Sequence, residues 1–314
     1  VGLRYFAGRI GQSLLTILGA VTVVFLVLRL TPGDPAQIML GDYATPELVA
    51  TIHHQWGLDK PIATQYFLYM EHVLTGNFGH SYVLQQDVGA LILSSVQYTL
   101  ALALAAMVIT CVVGIPLGLI AAQKRNSVAD YVSMLIAMFG IATPDFALAL
   151  VIIYVLSYKL SWFPVQGAGN SGDYVGELHH LILPAFALGI RSAALVARTT
   201  RSAMLEVLGE DHVRTARAKG LAERVVIRSH VWRNALIPIL TILGIYFGQV
   251  LGGATVIEIV FGRPGLGKLL IGSILARDYP LSQGLIVVFL IGVVVVNLIT
   301  DVLYGFVDPR LRSA

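Results

Sequence analysis

Charge is what this chain has least of. Only 12% of its 314 residues are Asp, Glu, Lys or Arg, while 56% are hydrophobic. That balance excludes a soluble globule and reads as a polytopic membrane protein. Cysteine is nearly missing too: Cys111 stands alone inside an apolar run. No disulfide framework and no cysteine metal site can be built from it. A phosphate-binding loop is also lacking. The stretch Gly262-Arg-Pro-Gly-Leu-Gly-Lys268-Leu269 has glycines and a lysine, but at the wrong spacing and with Leu269 where a Ser or Thr is required. If ATP drives this molecule, another chain binds it. Arg4 and Arg9 precede an apolar run from Ile10, and no small-residue cleavage site follows. The run is therefore expected to be a retained first helix rather than a signal peptide. The net charge of +3 comes from loop arginines and gives no reason to expect nucleic acid.

What is present is a set of apolar runs of bilayer length. They predict six transmembrane helices near residues 10–28, 96–122, 131–157, 179–197, 235–259 and 284–307. Residues 36–94 are too polar to cross; together with Asp34 they hold six acids against the single Lys60, which suits the outside. Thr45-Pro46-Glu47 predicts one helix start in that segment and Asp59-Lys-Pro61 another. Gly114-Ile-Pro-Leu-Gly118 places two small residues four apart in the second span, where helices can approach closely, and Pro116 can kink it. Gly248 and Gly252 share a face of the fifth. The outer segment 261–283 carries Arg263, Lys268 and Arg277 and is expected to be re-entrant, held against the protein. The domain division is 1–94 (first helix and outer helical segment), 95–304 (membrane domain with a polar loop at 198–234) and a tail at 305–314.

The polar loop is the most distinctive stretch. Eight Lys or Arg lie between Arg198 and Arg233, against Glu206, Glu210, Asp211 and Glu223. A Lys/Arg excess between two spans places a loop in the cytoplasm, and six spans then put both termini there. Glu210 and Asp211 bring negative charge to a helix start. Arg214, Thr215, Ala216, Arg217, Ala218 and Lys219 continue that helix, Gly220 supplies a left-handed corner, and Leu221 leads into a second helix from 222 to 233.

The run Arg214-Thr-Ala-Arg-Ala-Lys-Gly220-Leu221, followed by Arg233-Asn-Ala-Leu-Ile-Pro238, resembles the cytoplasmic loop of ATP-binding-cassette importer permeases, most closely the dipeptide, oligopeptide and nickel group. Pro-Gly-Asp-Pro35, Gly57-Leu-Asp-Lys-Pro61 and Gly76-Asn-Phe-Gly79 are similar to the peptide-permease branch as well. The wider family's Glu-Ala-Ala is replaced here by Arg214-Thr215-Ala216, which fits that branch. The resemblance implies an all-α type I importer permease fold with a helical periplasmic insertion after the first span. It implies the first (B-type) membrane subunit of a bacterial cytoplasmic-membrane importer of di- or oligopeptides, with nickel complexes or glutathione as alternatives. Its partners would be a second homologous permease subunit in a heterodimer, two ATP-binding subunits carrying ATP and Mg, and a periplasmic or lipid-anchored substrate-binding protein. The loop from Glu210 to Leu221 would be the coupling helix that docks on an ATPase.

Other classes find less in the residues. A secondary transporter calls for inverted repeats with broken helices, and none is evident. His53-His54, His179-His180, His72 and His80 lack the regular spacing of a metal site and read as interfacial polar residues. Gly79-His-Ser81 has no base at matching depth to serve a hydrolase. Charges inside spans are costly and therefore informative. Asp145 in the third span and Arg191 in the fourth fall at equal depth on consecutive antiparallel helices, either as an ion pair or as two walls of a wet translocation path. Glu258 and Asp301, near span ends, are expected to reach the interface.

Overall fold

Helix follows helix through the computed structural model, which describes residues 3–30, 32–170 and 172–307. Among these residues the only strand-like pairing is an isolated bridge between His80 and Asp87. Helix α1 spans Leu3–Leu30. The insertion after it holds three short helices. Asp34 caps α2 (Pro35–Leu40), and Thr45 caps α3 (Pro46–Trp56), which Gly57 ends at φ +64°. Helix α4 (Ile62–Thr75) ends at Gly76 with φ +69°. Both ends take the left-handed residue that glycine adopts without steric cost.

The second pass joins α5 (Val88–Ile109) through a π-helical turn at Thr110–Gly114 to α6 (Ile115–Gln123), with Pro116 in the first turn of α6. It starts eight residues earlier than its hydropathy suggests. Asp87 accepts the Ala90 N–H at 2.9 Å as a cap, and Val88 and Ile92 bury against Leu281 and Leu285. The third pass is not one helix. Helix α7 (Val128–Ala142) and helix α8 (Asp145–Ile152), which runs on as a π-helical segment to Lys159, meet at a 104° bend. Pro144 lies in that break, where it removes a donor and disfavours helical geometry at Thr143.

Helix α9 (Tyr174–Leu208) is 35 residues long. It continues eleven residues past the expected end of the fourth span, because Thr200, Ala203, Met204 and Val207 keep a buried face while Arg198 and Glu206 turn outward. Beyond it come α10 (Asp211–Ala218), α11 (Glu223–Val225), a π-helical turn at Val226–Val231, and α12 (Trp232–Val260). Helix α13 (Leu266–Leu275) packs against the bundle, and α14 (Tyr279–Val307) completes the passes. Among the described residues five helices are long and apolar enough to cross a membrane, and six spans result if the bent pair counts as one. The tail at 308–314 lies outside the described residues.

Helix α9 is the centre of the bundle. Its apolar window is 56% buried, against 11–33% for the other long helices. Small residues make this possible. A Cβ added at Gly189 would lie 2.6 Å from the Ala106 carbonyl oxygen, and one at Gly114 would lie 2.5 Å from the Ala193 oxygen. Gly118 meets Ala197 and Thr200 as closely. Thr110 then donates across the contact to the Gly189 carbonyl at 3.1 Å. Lipid tails are as apolar as leucine, so such close packing and hydrogen bonding, rather than a hydrophobic drive, hold the helices together.

Gly189→Val should therefore force α5 and α9 apart. Overpacking of this kind costs about 1–3 kcal/mol. The folded fraction of detergent-extracted protein, followed by size exclusion during heating, should fall several-fold. Gly252→Ala, with no atom within 4 Å of the new carbon, should leave it unchanged.

Candidate functional site

The charged stretch folds into a helical corner at one end of the bundle. Asp211 begins α10, and Glu210 sits before it with its carboxylate 2.9 Å from His212. Two apolar residues anchor the helix: Val213 and Ala216 bury against Met204, Val207, Val226 and Val231. Ala216 thus faces the chain's own core. Asp211, Arg214, Thr215, Arg217, Ala218, Lys219, Gly220 and Leu221 are exposed. Gly220 has φ +80°, and a Cβ there would meet nothing within 4 Å, so backbone conformation, not space, demands glycine.

Hydrogen bonds hold the corner in shape. The Gly220 N–H donates to the Arg217 carbonyl at 2.9 Å. The Arg217 guanidinium grips Glu223 with two bonds of 3.1 and 2.6 Å, bridging the corner, and this carboxylate raises the Arg217 pKa. Arg214 pairs with Asp211 at 3.4 Å, and His212 lies 3.3 Å from the Asn234 amide. Exposed pairs of this sort add little stability. Their consequence is geometric: an exposed basic helix is fixed to the ends of both α9 and α12.

Asp130, which no motif in the sequence marks, is the second anchor at this end. It is 2% exposed and receives Arg201 Nε and Nη2, both at 2.7 Å, plus the Asn126 N–H at 3.0 Å. Planar bidentate geometry is the strong form of this pair. The available signal was an acid three residues after the Ser127 cap, opposite an arginine on a helix whose length was underestimated.

The mid-bundle charges lie on consecutive passes, one of them broken. Because the third pass breaks at Thr143–Pro144, Asp145 opens α8 instead of lying within a continuous helix. Its Oδ1 is buried without a hydrogen-bond partner, and its side chain lies beside Gly253 of α12. Arg191 is exposed on α9, and no ion pair closes between it and Asp145 within 4 Å.

Glu258 does not reach the interface. It is completely buried, accepts from Thr99 Oγ1 at 2.6 Å, and takes the Gly267 and Lys268 N–H groups at 2.8 and 3.1 Å. Thr99 Oγ1 in turn accepts the Leu266 N–H at 2.9 Å. One carboxylate and one hydroxyl therefore satisfy the orphan donors at the start of α13 and hold it against α12 and α5. Arg263 is buried nearby, donating to the His180 carbonyl at 3.2 Å. The side chain of Asp301 lies outside the described residues.

The two histidine pairs have local partners. His53 meets Asp34 at 2.8 Å, His54 meets Asp59 at 3.0 Å, His179 reaches the Trp162 carbonyl at 2.8 Å, and His180 the Gly176 carbonyl at 2.8 Å. Ser81 donates to the Asp278 carboxylate, which ties the insertion to the segment before α14.

Comparison with known proteins follows the same outline. Residues 114–313 match the family model described as binding-protein-dependent transport system inner membrane component, and residues 2–103 match that of the N-terminal part of such membrane components. The chain is 40% identical over 310 residues to the glutathione transport system permease protein GsiC of Escherichia coli K12, covering 99% of each. It is 40% identical over 332 residues to the di/tripeptide transport system permease protein DppB of Pseudomonas aeruginosa, again covering 99% of each. Among solved structures, an inward-facing MetNI methionine ABC transporter superposes with a TM-score of 0.58 at 18% identity, over 69% of this chain and 96% of that one. That likeness concerns the fold.

Removing the Glu258 carboxylate should loosen α13. Glu258→Ala leaves two N–H groups without acceptors, each costing about 1–3 kcal/mol when buried. The thermal midpoint of the purified protein should drop clearly. Glu258→Gln, which retains one acceptor oxygen, should recover part of the loss.

Proposed function

The chain belongs to the family of binding-protein-dependent transport system inner membrane components, the permease subunits of ABC importers, and on that premise we propose that it carries di- and oligopeptides across the bacterial inner membrane. Full-length identity to a di/tripeptide permease supports the peptide reading. Equal identity to a glutathione permease supports a second reading, glutathione, itself a short peptide-like cargo.

In this proposal the chain is the first of two homologous permease subunits in a heterodimer. Two ATP-binding subunits hold ATP and Mg on the cytoplasmic side, and a periplasmic or lipid-anchored binding protein delivers cargo. Both termini, and α10, face the cytoplasm. Residues 95–304 form the moving membrane domain; residues 1–94 add the first helix and the periplasmic insertion.

The observation that carries the mechanism is the exposed, basic α10 clamped between two long helices. A push on α10 by closing ATPase subunits passes into α9 through Val213 and Ala216, and into α12 through His212 and Asn234. At helical rise α9 spans about 52 Å, enough to carry the displacement through the bilayer. Asp130 and Arg201 tie the third pass to the same lever. Asp145 and Arg191 belong, in this proposal, to the path facing the second permease subunit. The chain itself makes and breaks no covalent bond; it transmits work and supplies the route.

The test is uptake by proteoliposomes holding the complete transporter. ATP-dependent accumulation of a labelled dipeptide, not displaced by glutathione, is the expected result; accumulation of glutathione alone would select the second reading, and accumulation of neither would end both. Gly220→Val should abolish uptake and its coupling to ATP hydrolysis while leaving the amount of protein in the membrane unchanged, because a β-branched residue resists the left-handed corner. Normal uptake by this variant would remove α10 as the coupling element.

A further inference from the structure

A cavity of about 700 Å³ lies between α3, α4, the segment 77–85 and the head of α14, far from α10. Its size suits a small organic ligand. One wall is aromatic: Trp56 stacks on Tyr279, with ring centroids 5.4 Å apart and planes 19° apart. Arg29 enters from the end of α1, its Nε donating to Gln65 Oε1 at 2.7 Å and its Nη1 to the Tyr279 hydroxyl at 2.8 Å. Both acceptors are neutral. The guanidinium charge is positioned but not matched by any carboxylate among the described residues.

Tyr69 supplies an independent observation. It is 6% exposed, and its hydroxyl closes no hydrogen bond, with the Gln283 amide beside it but outside hydrogen-bond geometry. Burial pushes this phenol up to about 12, so it stays protonated and available as a donor. An orphaned buried polar atom is costly and rare. Tyr69 and Arg29 line the same cavity. Among the described residues no Asp or Glu lines the cavity, whereas Lys60, His72 and His80 do. His54 lines it too, bonded to Asp59 at the exposed rim.

A fixed guanidinium, a buried hydroxyl donor and stacked rings, without an acid, form a receptor for an oxyanion attached to an apolar body. We propose that this cavity binds the carboxylate of a small organic molecule, and that this molecule is a short peptide held by its carboxyl end. The carboxylate chemistry rests on Arg29 and Tyr69; the peptide identity rests on the transport reading above. The site would hold cargo at the insertion, before the mid-bundle path.

The experiment uses the assembled transporter in lipid nanodiscs without its binding protein. Tritiated Ala-Phe is bound and then competed with unlabelled Ala-Phe, its carboxamide and acetate. Saturable binding is expected, with the carboxamide competing at least about tenfold more weakly. Arg29→Gln and Tyr69→Phe should each weaken binding by about tenfold, the scale of one charge-assisted hydrogen bond. Tyr69→Phe should also leave the thermal midpoint nearly unchanged, since the hydroxyl it removes closes no hydrogen bond. Equal competition by acid and carboxamide, or unaltered affinity in both variants, would overturn the site. So would weakened association of Arg29→Gln with the substrate-binding protein in the absence of peptide binding, which would assign the cavity to an acidic side chain of that partner. Should peptide uptake proceed while binding ignores Arg29, the site falls and the transport reading stands. Arg29-dependent binding without any ATP-driven peptide uptake would overturn the transport reading alone.

Discussion

Everything in this molecule depends on how closely the second pass approaches α9. Gly114, Gly118 and Gly189 bring backbone against backbone, where any side chain would collide with a carbonyl. Inside a bilayer this contact has no hydrophobic gain over lipid, so it rests on dispersion at short range and on Thr110 reaching the Gly189 carbonyl. With α9 clamped in the middle, the other passes have a surface to pack on, and one helix of 35 residues runs through the bundle. The polar corner packs on the end of α9, and the helical insertion packs on α1 and α14.

The second constraint is polar satisfaction. In a low-dielectric interior each buried donor or acceptor needs a partner, and most have one. Glu258 and Thr99 serve the start of α13, Asp130 takes Arg201, and Asp34 and Thr45 cap their helices. The unmatched buried atoms stand out against this background: Asp145 Oδ1, Tyr69 Oη, Thr200 Oγ1 and Arg263 Nε. Asp145 sits at the broken pass, and Tyr69 sits in the cavity of the insertion. Against carboxylates satisfied as thoroughly as Glu258 and Asp130, these two groups stand open.

Proline illustrates how far local reading reaches. Pro46, in the first turn of α3, and Gly57 and Gly220 at helix ends behave as their chemistry dictates, because each effect is confined to one turn of backbone. Pro144, Pro184 and Pro238 obey the same local rule yet differ in outcome. The first marks a 104° break, while the other two remain inside α9 and α12. Which prolines break a span is settled by whether neighbouring helices hold the flanking turns in line, and that is a property of packing. The same holds for the true length of α9. Its charged continuation reads as loop until Arg201 finds Asp130, 71 positions earlier in the chain.

Local chemistry read from the residues is enough for the membrane class, the approximate positions of the passes, the Thr45 cap, the glycine corner and the basic stretch between α9 and α12. Each follows from the local free energy of placing residues in lipid, in water or in a left-handed turn. Tertiary structure alone decided that Glu258 is buried as a cap, that the third pass is broken at Asp145, and that Arg29, Tyr69 and Tyr279 converge on one cavity. Those facts depend on contacts between residues up to 250 positions apart. Such contacts exist only once close helix packing has selected which faces meet.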